Sequence, residues 1–223
     1  CGTKHAVLLN SGTAGLHTAL HVLGIGKDDE VITTPFTFIA TANTILMQGA
    51  KPVFADIDEN TFNIDPESVK EKITKKTKAI TTVDLYGQLC DYNQIGKLAK
   101  DNQLFVVEDA CQAIGAEFNG KMAGAFGDIG VFSFYATKNI TCGEGGAIAT
   151  NNGDYADKSK LFRQHGMSAL GAYDYNDAGY NYRMTDIQAA ILLEQMKKLE
   201  DFTGKRIQNA EYLSKGLKNI RGI

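Results

Sequence analysis

The chain has 223 residues, of which 43% are hydrophobic and 22% are charged, and its formal net charge is −3. This composition is typical of a soluble globular protein and lacks the dense positive charge of nucleic-acid-binding proteins. No apolar run approaches the roughly 20 residues that span a bilayer. The four cysteines stand far apart without a CxxC pair, which indicates neither a zinc site nor a disulfide framework. We therefore expect a cytoplasmic protein with no nucleic-acid or membrane partner and no metal.

Apolar runs and amphipathic stretches alternate over the first two thirds of the chain. Short runs rich in β-branched residues predict strands at 31–34, 52–57, 79–85, 104–108, 130–134 and 146–150. Stretches of helical periodicity lie between them, at 14–23, 38–48, 66–73 and 92–101. Asp65 and Pro66 are a favoured N-cap and first residue for the third of these helices. This alternation predicts an α/β fold with a mainly parallel sheet and helices on both faces.

The strand pattern fades after residue 150. The remaining sequence predicts a helix at 152–162 and one very long helix at 185–217, whose broad apolar stripe includes Ile187, Ile191 and Leu193. We therefore expect a large α/β domain at residues 1–184 and a helical extension at residues 185–223. The chain begins at Cys1 without an initiator Met and stops soon after this helix, so we expect a fragment of a longer protein.

Ligands of open α/β sheets bind beyond the carboxyl ends of the strands, which directs attention to the residues that follow each apolar run. Ser11, Gly12 and Thr13 begin a helix there, and its N–H groups suit a phosphate, although Ser and Thr are also ordinary helix caps. Glu108 and Asp109 follow an apolar run. A carboxylate at such a place could hold a metal, a ribose or a protonated ring nitrogen, or merely cap the next turn.

A single lysine, Lys138, follows the aromatic strand that contains Ser133 and precedes a Gly-Glu-Gly-Gly turn at 143–146. Most lysines are solvated surface charges, but glycines here would allow backbone to approach a ligand closely. A lysine in a partly apolar pocket loses its proton more readily and can form a Schiff base. The segment matches neither GxxxxGK[ST] nor GxGxxG. Lys138 is therefore the candidate catalytic residue.

These three segments together resemble the DegT/DnrJ/StrS family of pyridoxal-phosphate-dependent sugar-nucleotide aminotransferases, which have the fold-type-I, aspartate-aminotransferase fold. Further segments similar to the family's are Thr-Pro-Phe-Thr-Phe at 34–38, Gly-Ala-Phe-Gly-Asp at 124–128 and Gly-Tyr-Asn-Tyr-Arg-Met-Thr-Asp at 179–186. The resemblance covers most of the chain. It implies a three-layer α/β/α cofactor-binding large domain at 1–184, with the long helix of 185–223 leading towards a C-terminal small domain that the chain lacks.

The resemblance also implies a role for each matched residue. Lys138 would carry pyridoxal 5'-phosphate covalently and move a proton between the substrate carbon and the cofactor carbon. Asp109 would pair with the pyridine nitrogen, Gln112 with the ring hydroxyl, and Phe38 would stack on the ring. The remaining residues would hold the phosphate: Gly12, Thr13 and Ser133, with Asn181 supplied by the neighbouring subunit of a homodimer.

The implied reaction transfers an amino group from an amino acid, expected to be glutamate, to a nucleotide-linked keto-sugar. The segment at 138–142 is similar to members that act at the 4-keto position, which favours a 4-keto-6-deoxy sugar of surface polysaccharide, lipid A or related glycan biosynthesis. One alternative is a truncated or repurposed relative that binds or regulates without catalysis. Another is a fold-type-I transaminase acting on amino acids, which the Gly-Glu-Gly-Gly match disfavours.

Overall fold

The computed structural model describes residues 1–168, 173–175 and 177–222, and most of these form a sheet flanked by helices. The strands of the main sheet are β1 (His5–Leu9), β2 (Glu30–Thr33), β3 (Lys51–Phe54), β4 (Thr77–Val83), β5 (Phe105–Asp109), β8 (Ile129–Ser133) and β9 (Gly146–Thr150). A separate hairpin joins β6 (Glu117–Phe118) to β7 (Lys121–Met122). The helices are α1 (Gly12–Val22), α2 (Ala40–Met47), α3 (Pro66–Lys72), α4 (Tyr92–Asn102), α5 (Gly153–Arg163), α6 (Asp186–Met196) and α7 (Leu199–Leu217).

The main sheet has the strand order β1-β9-β8-β5-β4-β2-β3. All neighbours from β8 to β3 run parallel, whereas β9 runs antiparallel to both β8 and β1. The chain between β8 and β9 is a loop without a crossover helix, which suits an antiparallel return. As a result β1, β8, β5, β4 and β2 all point their carboxyl ends to the same edge of the sheet.

The two faces of the sheet carry separate apolar clusters because successive strand residues point to opposite sides. Val107 packs with Leu16 and Leu20 of α1 on one face. Its neighbour Val106 packs with Val69 of α3 and Ile95 of α4 on the other. The predicted α/β fold with a mostly parallel sheet between helical layers is confirmed.

The helical extension differs from the prediction, because the one long helix expected at 185–217 is two helices, α6 and α7. The break falls at Lys197 and Lys198, and the first turn of α7 carries Glu200 and Asp201. Basic residues suit the C-terminal end of a helix and acidic residues suit its start, since each charge complements the helix dipole. This charge pattern therefore favours the end of one helix and the beginning of another at the place where the chain turns.

Helices α6 and α7 pack on the rest of the chain through few residues. Leu192 of α6 is buried in a third apolar cluster, against which Leu199 and Phe202 of α7 also pack. Leu199 is the member of the predicted stripe that packs on this cluster, whereas Ile187 is 76% exposed and Leu193 is 67% exposed. No residue of α7 is buried. Within the described parts of the chain, no helix combines the length and the apolar character that a membrane span needs.

Candidate active site

A cleft of about 730 Å³ opens at the carboxyl edge of the sheet. Its walls come from the starts of α1 and α2, the ends of β5 and β8, and the loop that follows β8. Most of the residues predicted for the site line this cleft, namely Gly12, Thr13, Phe38, Asp109, Gln112, Ser133 and Lys138. The parallel topology brings them together, because strand ends that are distant in sequence meet at one edge.

The start of α1 forms one end of the cleft. Ser11 is the N-cap, and its Oγ accepts a hydrogen bond from the Ala14 amide at 3.0 Å. The first amides of a helix lack partners within it, so an anion can bind where Gly12 and Thr13 line the cleft. A Cβ on Gly12 would lie 2.9 Å from both Cys111 Sγ and Ser133 Cβ. The helix therefore packs directly on the residues that follow β5 and end β8.

Two of the three glycines after Lys138 allow close packing within the protein, which differs from the close approach to a ligand that the sequence predicted. A Cβ on Gly146, the first residue of β9, would overlap the carbonyl oxygen of Ser11. A Cβ on Gly145 would lie 2.7 Å from Cys142 Sγ and 2.8 Å from Met184 Cε. At these two positions glycine lets parts of the protein approach one another, and the space is not left for a ligand.

Asp109 ends β5 and is 5% exposed at the floor of the cleft. Its Oδ2 accepts a hydrogen bond from Thr41 Oγ1 at 2.9 Å, and its Oδ1 accepts one from the Cys111 amide at 3.2 Å. Burial raises the pKa of Asp109, while these hydrogen bonds and the positive charge of Lys138 act in the opposite direction. Sequence analysis missed Thr41, because a threonine inside a predicted helix carries no signal that it faces an acid.

Lys138 is half-buried in the loop after β8, where its amide donates a hydrogen bond to the Tyr135 carbonyl at 2.9 Å. Gln112 lies on the same cleft, and its Oε1 accepts a hydrogen bond from the Tyr86 amide at 3.0 Å. This contact leaves the amide nitrogen of Gln112 for a ligand.

Tyr86 is a second residue that sequence analysis missed. It lines the cleft with a positive φ of 57°, a strained backbone for a bulky residue.

Asn181 does not line the cleft and lies exposed on the surface. Its backbone pairs with Gln164, and its carbonyl accepts a hydrogen bond from Asn10 Nδ2 at 3.3 Å. The next residue, Tyr182, donates or accepts a hydrogen bond with Nδ1 of buried His17 at 3.0 Å. Burial lowers the pKa of His17 to about 4, so this contact is made by a neutral ring. Asn181 therefore lies on a segment that is fixed to α1.

The donors and acceptors of the cleft fit pyridoxal phosphate. The N-terminus of α1 and the hydroxyl of Ser133 suit its phosphate. The buried carboxylate of Asp109 suits a protonated ring nitrogen, since a buried charge needs a partner of opposite sign. Lys138 supplies the amine that an aldehyde requires. All of these groups line one cleft.

Comparison with known proteins identifies the family of the chain. The model of the DegT/DnrJ/EryC1/StrS aminotransferase family matches residues 1–223. GDP-perosamine synthase of Caulobacter vibrioides is 47% identical over 92% of this chain and 56% of its own length. PseC of Helicobacter pylori, an aminotransferase involved in the biosynthesis of pseudoaminic acid, has a TM-score of 0.93 and 38% identity over 99% of this chain and 60% of that one.

A putative sugar aminotransferase of Streptococcus pneumoniae in its pyridoxal phosphate form has a TM-score of 0.93 and 30% identity, covering 98% of this chain and 61% of that one. Such neighbours indicate that aminotransferases of this fold depend on pyridoxal phosphate. The chain spans 54% to 60% of the length of the curated relatives it matches. With its three-layer fold and the family match over its whole length, the chain belongs to the DegT/DnrJ/EryC1/StrS aminotransferase family.

Proposed function

We propose that the protein is a pyridoxal-phosphate-dependent aminotransferase that moves an amino group from glutamate to a nucleotide-linked keto-sugar. The observation that carries the proposal is the meeting of Lys138, Asp109 and the start of α1 in one cleft. Relatives named as GDP-perosamine synthases and as an aminotransferase of pseudoaminic acid biosynthesis support the sugar class of acceptor.

Lys138 is the proposed catalytic residue. When bound, pyridoxal phosphate supplies an aldehyde that condenses with amines and a protonated ring that accepts electrons. Lys138 Nζ would hold the cofactor covalently between reactions. Its released amine would take the proton from the α-carbon of the donor and, in the second half-reaction, would give a proton to the sugar carbon. Asp109 would pair with the ring nitrogen and hold a proton there.

The other cleft residues bind and orient the cofactor. Gln112 would donate from its amide nitrogen to the ring hydroxyl, since its oxygen already accepts a hydrogen bond from the Tyr86 amide. Phe38, which is 69% exposed, would stack on the ring and exclude water from one side of it. Ser133, Gly12 and Thr13 would hold the phosphate.

Asn181 belongs to the site of a second subunit in this proposal. Its exposed position outside its own cleft supports a homodimer in which it reaches the cofactor phosphate of the partner. We also propose that the large domain ends at residue 184, because Thr185 caps α6 and begins the helical extension of residues 185–223. The few contacts of α6 and α7 with the sheet support this boundary.

The first experiment tests the covalent bond. Wild-type protein, Lys138→Ala and Lys158→Ala are incubated with pyridoxal phosphate, reduced with borohydride, digested and analysed by mass spectrometry. We expect the reduced cofactor on the peptide that contains Lys138 in the wild type and in Lys158→Ala, whose altered lysine is exposed on α5. A wild-type chain that takes up no cofactor would favour a non-catalytic relative.

The acceptor is tested by measuring amine formation with matched substrates. Nucleotide-linked 4-keto-6-deoxy sugars, 3-keto sugars and free keto acids are compared as acceptors, with glutamate, glutamine and alanine as donors. We expect the 4-keto-6-deoxy sugar to have the highest kcat/KM. Preference for a keto acid would instead indicate a transaminase of amino acids.

A further inference from the structure

Two fully buried carboxyl groups lie side by side behind the cleft. Asp84 directly follows β4, Glu108 belongs to β5, and both are 0% exposed. The strands pair so that Thr82 lies opposite Glu108, and the Asp84 amide donates a hydrogen bond to the Asp109 carbonyl at 3.1 Å. Because side chains alternate along a strand, Glu108 points away from the face that Asp109 presents to the cleft. Among the described residues, neither acid has a salt bridge to a basic side chain.

Glu108 is arranged to be the charged member of this pair. Its Oε1 accepts a hydrogen bond from the Gly124 amide, and its Oε2 accepts from the amides of Phe126 at 2.8 Å and Gly127 at 3.3 Å. Burial raises the pKa of Glu108, and these three donors act in the opposite direction by stabilising the carboxylate. The turn that supplies them packs closely on β8, since a Cβ on Gly124 would overlap the ring of Phe132.

Asp84 has donors for only one of its two oxygens. Its Oδ1 accepts hydrogen bonds from the Cys90 amide at 3.1 Å and from Tyr92 Oη at 2.8 Å. Its Oδ2 is buried, and no N–H or O–H of the described residues faces it. Thr82 lies opposite Glu108 and Asp84 is two residues further along, so the side chains of the two acids lie next to each other on the same face of the sheet. Two carboxylates repel each other, whereas a single proton between them turns the contact into a hydrogen bond.

We propose that Asp84 keeps its proton at neutral pH and donates it from Oδ2 to Glu108, and that this pair positions Asp109 and Gln112 in the cleft. Asp84 fixes the turn after β4, since its carbonyl accepts from the Gly87 amide at 3.3 Å, and that turn carries Tyr86, which holds Gln112. Glu108 joins the 124–127 turn to the strand that ends in Asp109. Both acids are positioning residues. Only their effect on the cofactor rests on the proposed function; the proton between them does not.

The surroundings favour retention of the proton. Burial raises the pKa of Asp84 well above its usual range, and the charge of Glu108 raises it further. The other titratable groups facing Asp84 are Cys90 and Tyr92, and burial also raises the pKa of each, so both are neutral at pH 7. The basic residue Lys121 of β7 contacts the Phe126 ring, with its Nζ 4.8 Å from the ring centroid, and among the described residues it forms no salt bridge with either acid.

The proton should make stability depend on pH in a defined direction. A carboxyl whose pKa is raised by folding binds more protons in the folded state than in the unfolded chain. Its contribution to the free energy of unfolding is fully present below the pKa of an unfolded Asp, about 4. It is lost as the pH rises towards the pKa that Asp84 has in the folded protein. We therefore expect the urea midpoint to fall as the pH is raised through this window.

The decisive variant is Asp84→Asn, because an amide N–H can donate to Glu108 as the acid proton does but cannot titrate. Infrared spectra of the wild-type chain without cofactor should show the C=O stretching band of a buried protonated carboxylic acid, and Asp84→Asn should lack it. The downward slope of the urea midpoint with pH should also become shallower in this variant, leaving the smaller part that other buried carboxyl groups contribute. Asp101→Asn, an exposed change of the same kind on α4, should alter neither.

Asp84→Ala tests the positioning role. We expect it to bind pyridoxal phosphate at least tenfold more weakly than the wild type. The affinity of Asp84→Asn should stay within about twofold of the wild type, because its amide N–H replaces the lost donor. The shared proton is refuted if Asp84→Asn leaves both the infrared band and the pH slope unchanged. The positioning role is refuted if Asp84→Ala folds and binds the cofactor as tightly as the wild type. Should the wild type bind no cofactor, the proposed function fails while the infrared and unfolding data still test the proton.

Discussion

The two faces of the sheet at the end of β5 use the same chemical group for different purposes. Glu108 and Asp109 are neighbours in sequence and both are buried. Glu108 accepts hydrogen bonds from three backbone amides and lies against a second acid. Asp109 has one hydroxyl and one amide as donors and faces an open cleft. One carboxylate holds the fold together, and the other is left available to a ligand.

The largest expected effects come from removing the Glu108 carboxylate and, separately, the Asp109 carboxylate. Glu108→Ala removes the acceptor of three amides and opens a cavity, so the free energy of unfolding should fall by about 3–5 kcal/mol. Asp109→Asn should change that free energy by about 1 kcal/mol or less, because Asn retains the size and an acceptor. It should instead reduce turnover by about 10²-fold, since the charge opposite the ring nitrogen is lost.

Urea unfolding at pH 7 and steady-state turnover, measured on both variants, decide this prediction. The assignment of stability to Glu108 and of ligand binding to Asp109 is wrong if Asp109→Asn unfolds at a lower urea concentration than Glu108→Ala. It is also wrong if Glu108→Ala keeps its stability and loses only turnover.

A smaller effect should come from replacing Gly146, which packs closely on Ser11 beside the cleft. An alanine Cβ there would overlap the Ser11 carbonyl, so the start of α1 must shift away from β9. We expect Gly146→Ala to lower the free energy of unfolding by about 1–3 kcal/mol, as overpacking does elsewhere. Pyridoxal phosphate should bind more weakly as well, because the displaced amides are those of the proposed phosphate site.

Gly96→Ala is the matched control, since a Cβ at this position of α4 meets no atom within 4 Å. Alanine is the better helix former, so this variant should be about 0.5–1 kcal/mol more stable than the wild type. Equal effects of the two substitutions on urea unfolding would show that Gly146 is not needed for close packing.

Much of the fold and of the cleft can be predicted from the sequence, because both depend on local patterns. The period of the apolar residues determines strands and helices, and parallel topology then places the strand ends, and with them Lys138 and Asp109, at one edge. Features that depend on contacts across the fold cannot be predicted in this way. The apolar pattern does not say which acid of the Glu-Asp motif faces the cleft, a choice that only the family resemblance supplies. The atom that fills the space beside Gly146, the Ser11 carbonyl oxygen, is distant in sequence.

The smallest expected effect concerns Thr41, the hydroxyl that sequence analysis missed. Its hydrogen bond to Asp109 lowers the pKa of that acid against the effect of burial. Thr41→Val keeps the shape but removes the donor, so the pKa of Asp109 should rise and the carboxylate should become protonated at a higher pH. At pH 7 the cofactor should bind about threefold to tenfold more weakly, the equivalent of about 1 kcal/mol.

Titration of cofactor binding between pH 5 and pH 8 separates this cause from a general loss of packing. In Thr41→Val the pH at which binding is lost on acidification should move upwards, because Asp109 must be charged to hold the ring nitrogen. Thr44→Val is the control, since Thr44 is buried on the same helix and its hydroxyl donates to the Thr41 carbonyl, at 3.2 Å. If both variants lose binding at the same pH, Thr41 contributes packing alone, and the availability of Asp109 to a ligand does not depend on its hydroxyl partner.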